Sequence, residues 1–150
     1  MRIVIEKNKR QLTVYIDNQV TLILPIGLGR EPIGAKLLEG DGKTPEGQYY
    51  VCTKNAQSKY HRSLGLSYPS AWDAGCALES GIIDATTHST ICEAIAQNKR
   101  PPWDTALGGF IMIHGGGIEM TTQGCIALSD ADSQWLFDVC PMGAAVEIVP

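Results

Sequence analysis

Residues Gly108 to Leu128, GGFIMIHGGGIEMTTQGCIAL, decide how this chain is read. An apolar run from Phe110 to Ile113 ends at His114 and opens into Gly115-Gly116-Gly117. Beyond a spacer, Thr122-Gln123-Gly124-Cys125 leads into a second apolar run, Ile126 to Leu128. Both runs are too short for helices and are bounded by glycine, so they read as strands. Two strands would then deliver an imidazole and a thiol to one edge of a sheet. A free thiol, with a pKa of about 8.5, is mostly protonated at neutral pH. A neighbouring His acting as base or as imidazolium partner would make it a usable nucleophile. The competing reading is a buried Cys beside a His fixed in the core.

Working outward, the 150 residues match the usual size of one domain and suffice to bury a core without staples. One domain, residues 1–150, is the expectation. A net charge of −4, with no run of like charges, argues against nucleic acid or an anionic membrane surface as partner. The N-terminus, MRIVIEKNKRQ, carries only a short apolar run before charge resumes, far less than a signal-peptide core or a membrane span needs. Five cysteines, at 52, 76, 92, 125 and 140, show no metal-ligand spacing, and an odd number makes a disulfide framework improbable. Cys52, Cys76, Cys92 and Cys140 sit among apolar neighbours and read as small buried hydrophobes. Cys125 alone follows a Gly.

The flanking chain supplies the scaffold. Arg2–Glu6 and Gln11–Ile16 alternate polar and apolar residues around a turn-like Lys7-Asn8-Lys9-Arg10, predicting a β-hairpin. Val20–Ile26 is a third strand, with Pro25 suited to an edge or a strand end. From Gly27 to Gly47 the chain becomes Gly-rich with charges of both signs, which predicts a long ordered loop. In it Arg30, Lys36 and Lys43 could bind ligand carboxylates or could simply be solvated. Gln48–Thr53 resumes a strand, and Arg62–Tyr68 alternates again before Pro69. Helices are predicted over Ala71–Glu79, over Asp84–Gln97 with Asp84 as N-cap, and from Ser129 to about Cys140 with Ser129 as N-cap. Ala144–Val149 is a last strand. With no βαβ repetition, the expected fold class is mainly β: a curved, barrel-like mixed sheet with about three helices.

His61 and the His88/Cys92 pair are rivals to His114 and Cys125. His61 lies in a polar stretch with no nucleophile nearby and reads as a surface or structural histidine. His88 and Cys92 fall one helical turn apart on what should be the buried stripe of the second helix, and without a Gly-rich approach for substrate they read as packing.

The order His114-Gly115, spacer, Thr122-x-Gly124-Cys125-Ile126-Ala127-Leu128 before a helix resembles the catalytic motif of the L,D-transpeptidase (YkuD) family, which cross-links bacterial peptidoglycan. Gly34-x-Lys36 with Glu39-Gly40-Asp41-Gly42-Lys43-Thr44-Pro45-Glu46-Gly47, and then Leu64-x-Leu66-x-Tyr68-Pro69, are similar to two further blocks of that family in the same order. The resemblance covers nearly the whole chain. It implies Cys125 as nucleophile, His114 as its base, and Gly115 as the residue whose carbonyl orients the ring. The N–H groups of Gly124 and Cys125 are the candidate oxyanion hole. Thr122, Gln123, Arg30 and Lys36 are candidate substrate contacts. Many members carry a second His before the Gly-Cys and an Arg two residues after the Cys, where this chain has Gln123 and Ala127.

The resemblance further implies attack on the carbonyl of the diamino acid in a stem peptide, loss of the terminal D-alanine, and acyl transfer to an amine of a neighbouring stem. No cofactor and no metal are required. Peptidoglycan stem peptides are the expected partner, with no nucleic acid and no membrane span, and the cell envelope is the implied location. Hydrolysis by the same site, giving an L,D-carboxypeptidase or endopeptidase, and a non-catalytic wall-binding module are the alternatives.

Overall fold

A computed structural model describes residues 1–150. Its frame is one eight-stranded mixed sheet in the order β3-β2-β1-β8-β4-β5-β6-β7, with three helices added. The strands are β1 (Arg2–Glu6), β2 (Gln11–Ile16), β3 (Gln19–Pro25), β4 (Gly47–Ser58), β5 (His61–Leu66), β6 (Met112–His114), β7 (Ile126–Ala127) and β8 (Ala145–Val149). The helices are α1 (Ala71–Glu79), α2 (Ala85–Ala96) and α3 (Asp130–Val139).

The alternation seen in the sequence sets which face is buried. Ile3 and Ile5 of β1, Leu12 and Val14 of β2, and Val146 and Ile148 of β8 all point into one core of 26 residues. β1 and β2 pair antiparallel while β1 and β8 run parallel, so the sheet is mixed as expected. Pro25 ends β3, the edge strand, where a missing N–H removes no ladder bond. Edge position also leaves Val20 and Ile23 exposed.

The curl brings the sheet's two edges together. Gly27, just past β3, pairs with Ala127 of β7, each N–H donating to the other's carbonyl at 2.8 and 2.9 Å. Gly29 makes a parallel bridge with Thr122. The Gly-rich loop therefore lies directly against the segment that carries Cys125.

All three helices start at side-chain caps, which satisfy orphan N–H groups of the first turn. Asp84 accepts from the N–H of Thr87, Ser129 from that of Asp132, and Ser70 from that of Asp73. At Ser70 the box is closed by Asp73, which accepts from the Ser70 N–H at 2.8 Å.

Four expectations need correction. β4 runs on to Ser58, well past Thr53, because its polar second half pairs with β5 across two bulges. The run from Phe110 is not all strand: Phe110 has φ +55°, which breaks the ladder, and β6 begins at Met112. Of the stripe on α2 only Ile91 is fully buried, and His88 and Cys92 are half-buried, with Sγ and Nε2 3.5 Å apart. Cys76 is also half-buried, whereas Cys52 and Cys140 are buried, and all five cysteines are free.

Candidate active site

Parallel pairing of β6 with β7 aligns His114 with Ala127, so Cys125 lies one strand over and two residues back from His114. The C-terminal end of this short parallel ladder is tied by two further bonds. Leu128 N–H donates to His114 O at 2.8 Å and Gly117 N–H to Leu128 O at 2.9 Å.

His114 is buried, 3 % exposed, and its Nδ1 lies 2.6 Å from the carbonyl oxygen of Gly115. A carbonyl can only accept, so the proton sits on Nδ1 and Nε2 keeps its lone pair. No protein group hydrogen-bonds Nε2. Burial pushes the imidazole pKa down from its ordinary value, with the Gly115 carbonyl opposing in part. The ring of Tyr60, at the β4–β5 turn, stacks on the imidazole. The position of Gly115 is itself fixed. A Cβ there would meet Asp130 Oδ1 at 2.6 Å and Tyr60 O at 2.9 Å. Asp130 in turn accepts from the N–H of Gly116 at 2.7 Å.

Cys125 is half-buried, and its thiol is held by backbone. Sγ donates to Phe110 O at 3.3 Å and accepts from Met112 N–H at 3.4 Å. No hydrogen bond joins it to His114 in this conformation. Burial raises the thiol pKa, and the Met112 N–H and the Lys36 ammonium offset part of that rise. Burial thus works against charge on either partner, pushing the thiol up and the imidazole down.

The turn before the thiol is organised by Thr122. Its buried hydroxyl donates to Cys125 O at 2.7 Å and accepts from Gly124 N–H at 3.1 Å. Two expectations change as a result. The Thr122 hydroxyl proton is committed to the turn, and the side chain is buried there. The Gly124 N–H is also taken, so of the two candidate oxyanion donors only the Cys125 N–H is free. Gly124 has φ +134°, and a Cβ on it would meet Lys43 O at 2.6 Å, which explains the glycine.

A cavity of about 200 Å³ opens at Cys125, walled by Lys36, Glu39, Gly109, Phe110 and Gln123. Lys36 is 5 % exposed, donating to Leu38 O and to Asp41 Oδ1, both at 2.9 Å. Asp41 also accepts from the N–H groups of Leu37, Leu38 and Lys43. Burial alone would raise the Asp41 pKa, but those bonds together hold it at about 2. Gln123 is exposed on the cavity wall, while Arg30 reaches away, to Gly40 O at 2.8 Å, and lines a separate groove with Ile118 and Met120. His61 is exposed on the hairpin. Ala127 is fully buried between Gly27 and His114, a place suited to a small side chain. No cluster of three His, Cys, Asp or Glu suited to a metal occurs, and no helix is long and apolar enough to cross a membrane.

Tyr60 and Asp130 escape sequence reading because each reaches the His114 loop from another element. The aromatic next to His61 is the only local hint.

Comparison with known proteins agrees with this architecture. The family YkuD, L,D-transpeptidase catalytic domain, matches residues 1–148. No curated protein matches the chain. Among solved structures, the helical cell shape determining protein Pgp2 from Campylobacter jejuni is similar at 24% identity and TM-score 0.62, over 97% of this chain and 46% of that one. Bd1075 of Bdellovibrio bacteriovorus is similar at 20% identity and TM-score 0.62, over 99% and 47%. An L,D-transpeptidase from Xylanimonas cellulosilytica is similar at 18% and 0.55, over 98% and 59%. The chain thus spans about half the length of the solved structures it matches. Sheet order, motif spacing and the match over residues 1–148 agree: the chain belongs to the YkuD family of L,D-transpeptidase catalytic domains.

Proposed function

We propose that residues 1–150 form one catalytic domain, a cysteine-dependent L,D-transpeptidase acting on peptidoglycan stem peptides in the cell envelope. The observation that carries this reading is the 2.6 Å contact of His114 Nδ1 with Gly115 O, which leaves Nε2 as a base on the strand beside Cys125. Cys125 Sγ attacks the carbonyl carbon of the diamino acid as its proton passes to His114 Nε2. The oxyanion is stabilised by the Cys125 N–H. Collapse breaks the C–N bond, His114 returns the proton to the departing D-alanine amine, and a thioester remains. An acceptor amine then attacks the thioester, His114 takes its proton, and as the C–S bond breaks His114 passes that proton to Sγ, restoring the free thiol and the neutral imidazole.

Because the Gly115 carbonyl carries no charge, it fixes the tautomer and direction of the ring without lending the imidazolium an anionic partner. A general base of this kind contributes about 10²–10⁴-fold.

Incubation with disaccharide-tetrapeptide, followed by mass analysis, tests the proposal. Cross-linked dimer is the expected product, absent from Cys125→Ser. Tripeptide alone would mean that water is the acceptor and that the enzyme is a carboxypeptidase. No conversion of the stem by a folded protein would sink the reading.

A further inference from the structure

A second cleft, of about 140 Å³, lies between helix α1 and the loop residues 35–37, and shares only Lys36 with the cavity at Cys125. Leu37, Ala77, Ile82 and Leu107 give it an apolar lining, joined by the indole of Trp72, which is 77 % exposed. An apolar cavity of roughly 150 Å³ takes a benzene ring, so this one suits a single ring or branched chain. Three charged side chains also line it, and two of them are offset by partners. Lys36 is paired with Asp41 at 2.9 Å and Glu46 with Lys7 at 2.8 Å. Asp73, half-buried, forms no ion pair. Its Oδ2 accepts from the Ser70 N–H, the Ser70 hydroxyl and the Tyr49 hydroxyl, while its Oδ1 accepts no hydrogen bond. The helix cap therefore uses one oxygen and leaves the other uncommitted. Burial pushes the Asp73 pKa up, and the bonds from Ser70 and Tyr49 pull it partly back. A poorly solvated carboxylate without a counter-ion is costly, and a cation held beside it removes that cost.

We propose that this cleft binds a small organic ammonium, whose ring or branched chain fills the apolar space while its N–H donates to Asp73 Oδ1. The two offset pairs leave Asp73 as the one surplus charge on the lining, so charge complementarity selects a cation. The Trp72 ring adds a π face against which an ammonium is favourable. A neutral or anionic molecule of the same shape gains nothing from Asp73. The site is separate from the chemistry at Cys125, and turnover of a stem peptide is not required for it.

Benzylamine and benzyl alcohol have nearly one shape and differ in charge, which makes them the test. Titrated into the unaltered protein and followed at the Trp72 indole N–H by NMR, benzylamine should bind at least about tenfold more tightly, as one charge-assisted bond predicts. It should also shield the half-buried Cys76 thiol, which lines the cleft, from N-ethylmaleimide, and benzyl alcohol at the same concentration should shield less. In Asp73→Asn, which keeps an oxygen for the Ser70 N–H, the two ligands should bind alike. Equal affinities in the unaltered protein, no binding of benzylamine, or a Cys76 that benzylamine leaves unshielded overturns the proposal. So do shifts centred on Gly109 and Phe110 at the other cavity, or a preference for benzylamine that survives in Asp73→Asn. Should that variant fail to fold, the comparison in the unaltered protein decides alone.

Discussion

The ring of Tyr60 lies against the imidazole of His114, with centroids 4.7 Å apart and planes 25° from parallel. On the Tyr60 ring rests the ammonium of Lys59, 4.8 Å from its centroid. One face of His114 is thereby shut off from water, and burial is what pushes the imidazole pKa down.

Removing that cover should raise the imidazole pKa. In Tyr60→Ala, a proton NMR titration of His114 is expected to move toward the ordinary histidine value, and Tyr60→Phe should leave it in place. The lost stacking should also lower stability by about 0.5–1.5 kcal/mol. An unmoved titration in Tyr60→Ala would mean that the ring is only a neighbour.

Gly115→Ala should be more harmful than its single methyl suggests. The added Cβ would sit 2.6 Å from Asp130 Oδ1 and 2.9 Å from Tyr60 O, so the backbone must shift. Overpacking of this kind costs about 1–3 kcal/mol. The shift also turns the carbonyl that holds His114 Nδ1, and misplacement by an ångström can lose about a hundredfold in rate. Chemical denaturation and single-turnover kinetics would separate the two effects, and a variant with reduced stability but full activity would contradict the orienting role.

Stability should decline as the solution is made acid below the ordinary histidine pKa. A group whose folded pKa is depressed stabilises the fold above its unfolded value, 6.5 for His114, and that contribution is lost as pH falls. Asp41 follows the same sign further down, losing its contribution between 3.8 and about 2. Urea midpoints measured against pH should show the first loss in the wild type and lack it in His114→Gln. Asp41→Asn should lack the second.

Thr122→Val keeps the shape and deletes both hydroxyl bonds. Leaving Gly124 N–H and Cys125 O without partners should destabilise by about 1–3 kcal/mol and slow alkylation of Cys125 by iodoacetamide. Thr122→Ser should restore most of both. If Thr122→Val alkylated at the wild-type rate, the turn would not be what positions the thiol.

Much of the frame was legible because short-range pattern and tertiary burial agree. The alternation of Arg2–Glu6 and Gln11–Ile16, the caps at Asp84 and Ser129, and the break at Gly27 are all local signals that the fold obeys. The sequence also placed His114 and Cys125 at one sheet edge, and the parallel register of β6 and β7 brings them there. What local signals could not convey is pairing. The second half of β4 has no alternation and becomes strand only because β5 lies beside it. Phe110 belongs to an apolar run yet adopts a left-handed backbone, which lets its carbonyl turn to the Cys125 thiol. Lys7 reads as a turn residue and is 3 % exposed, because its partners lie far along the chain.

That buried Lys7 has a further consequence. Its ammonium donates to Gly34 O at 2.7 Å, Thr44 O at 3.2 Å and Glu46 Oε1 at 2.8 Å, so all three protons are used on the loop between Pro25 and Gly47. A long segment without regular structure is thus clamped to the first hairpin by the chain's own bonds. The entropy of ordering this wall has been met in folding, and a ligand entering the Cys125 cavity would meet a surface already set. Association should then show a small conformational penalty and little change in the loop's amide exchange, the thermodynamic mark of a lock cut before its key.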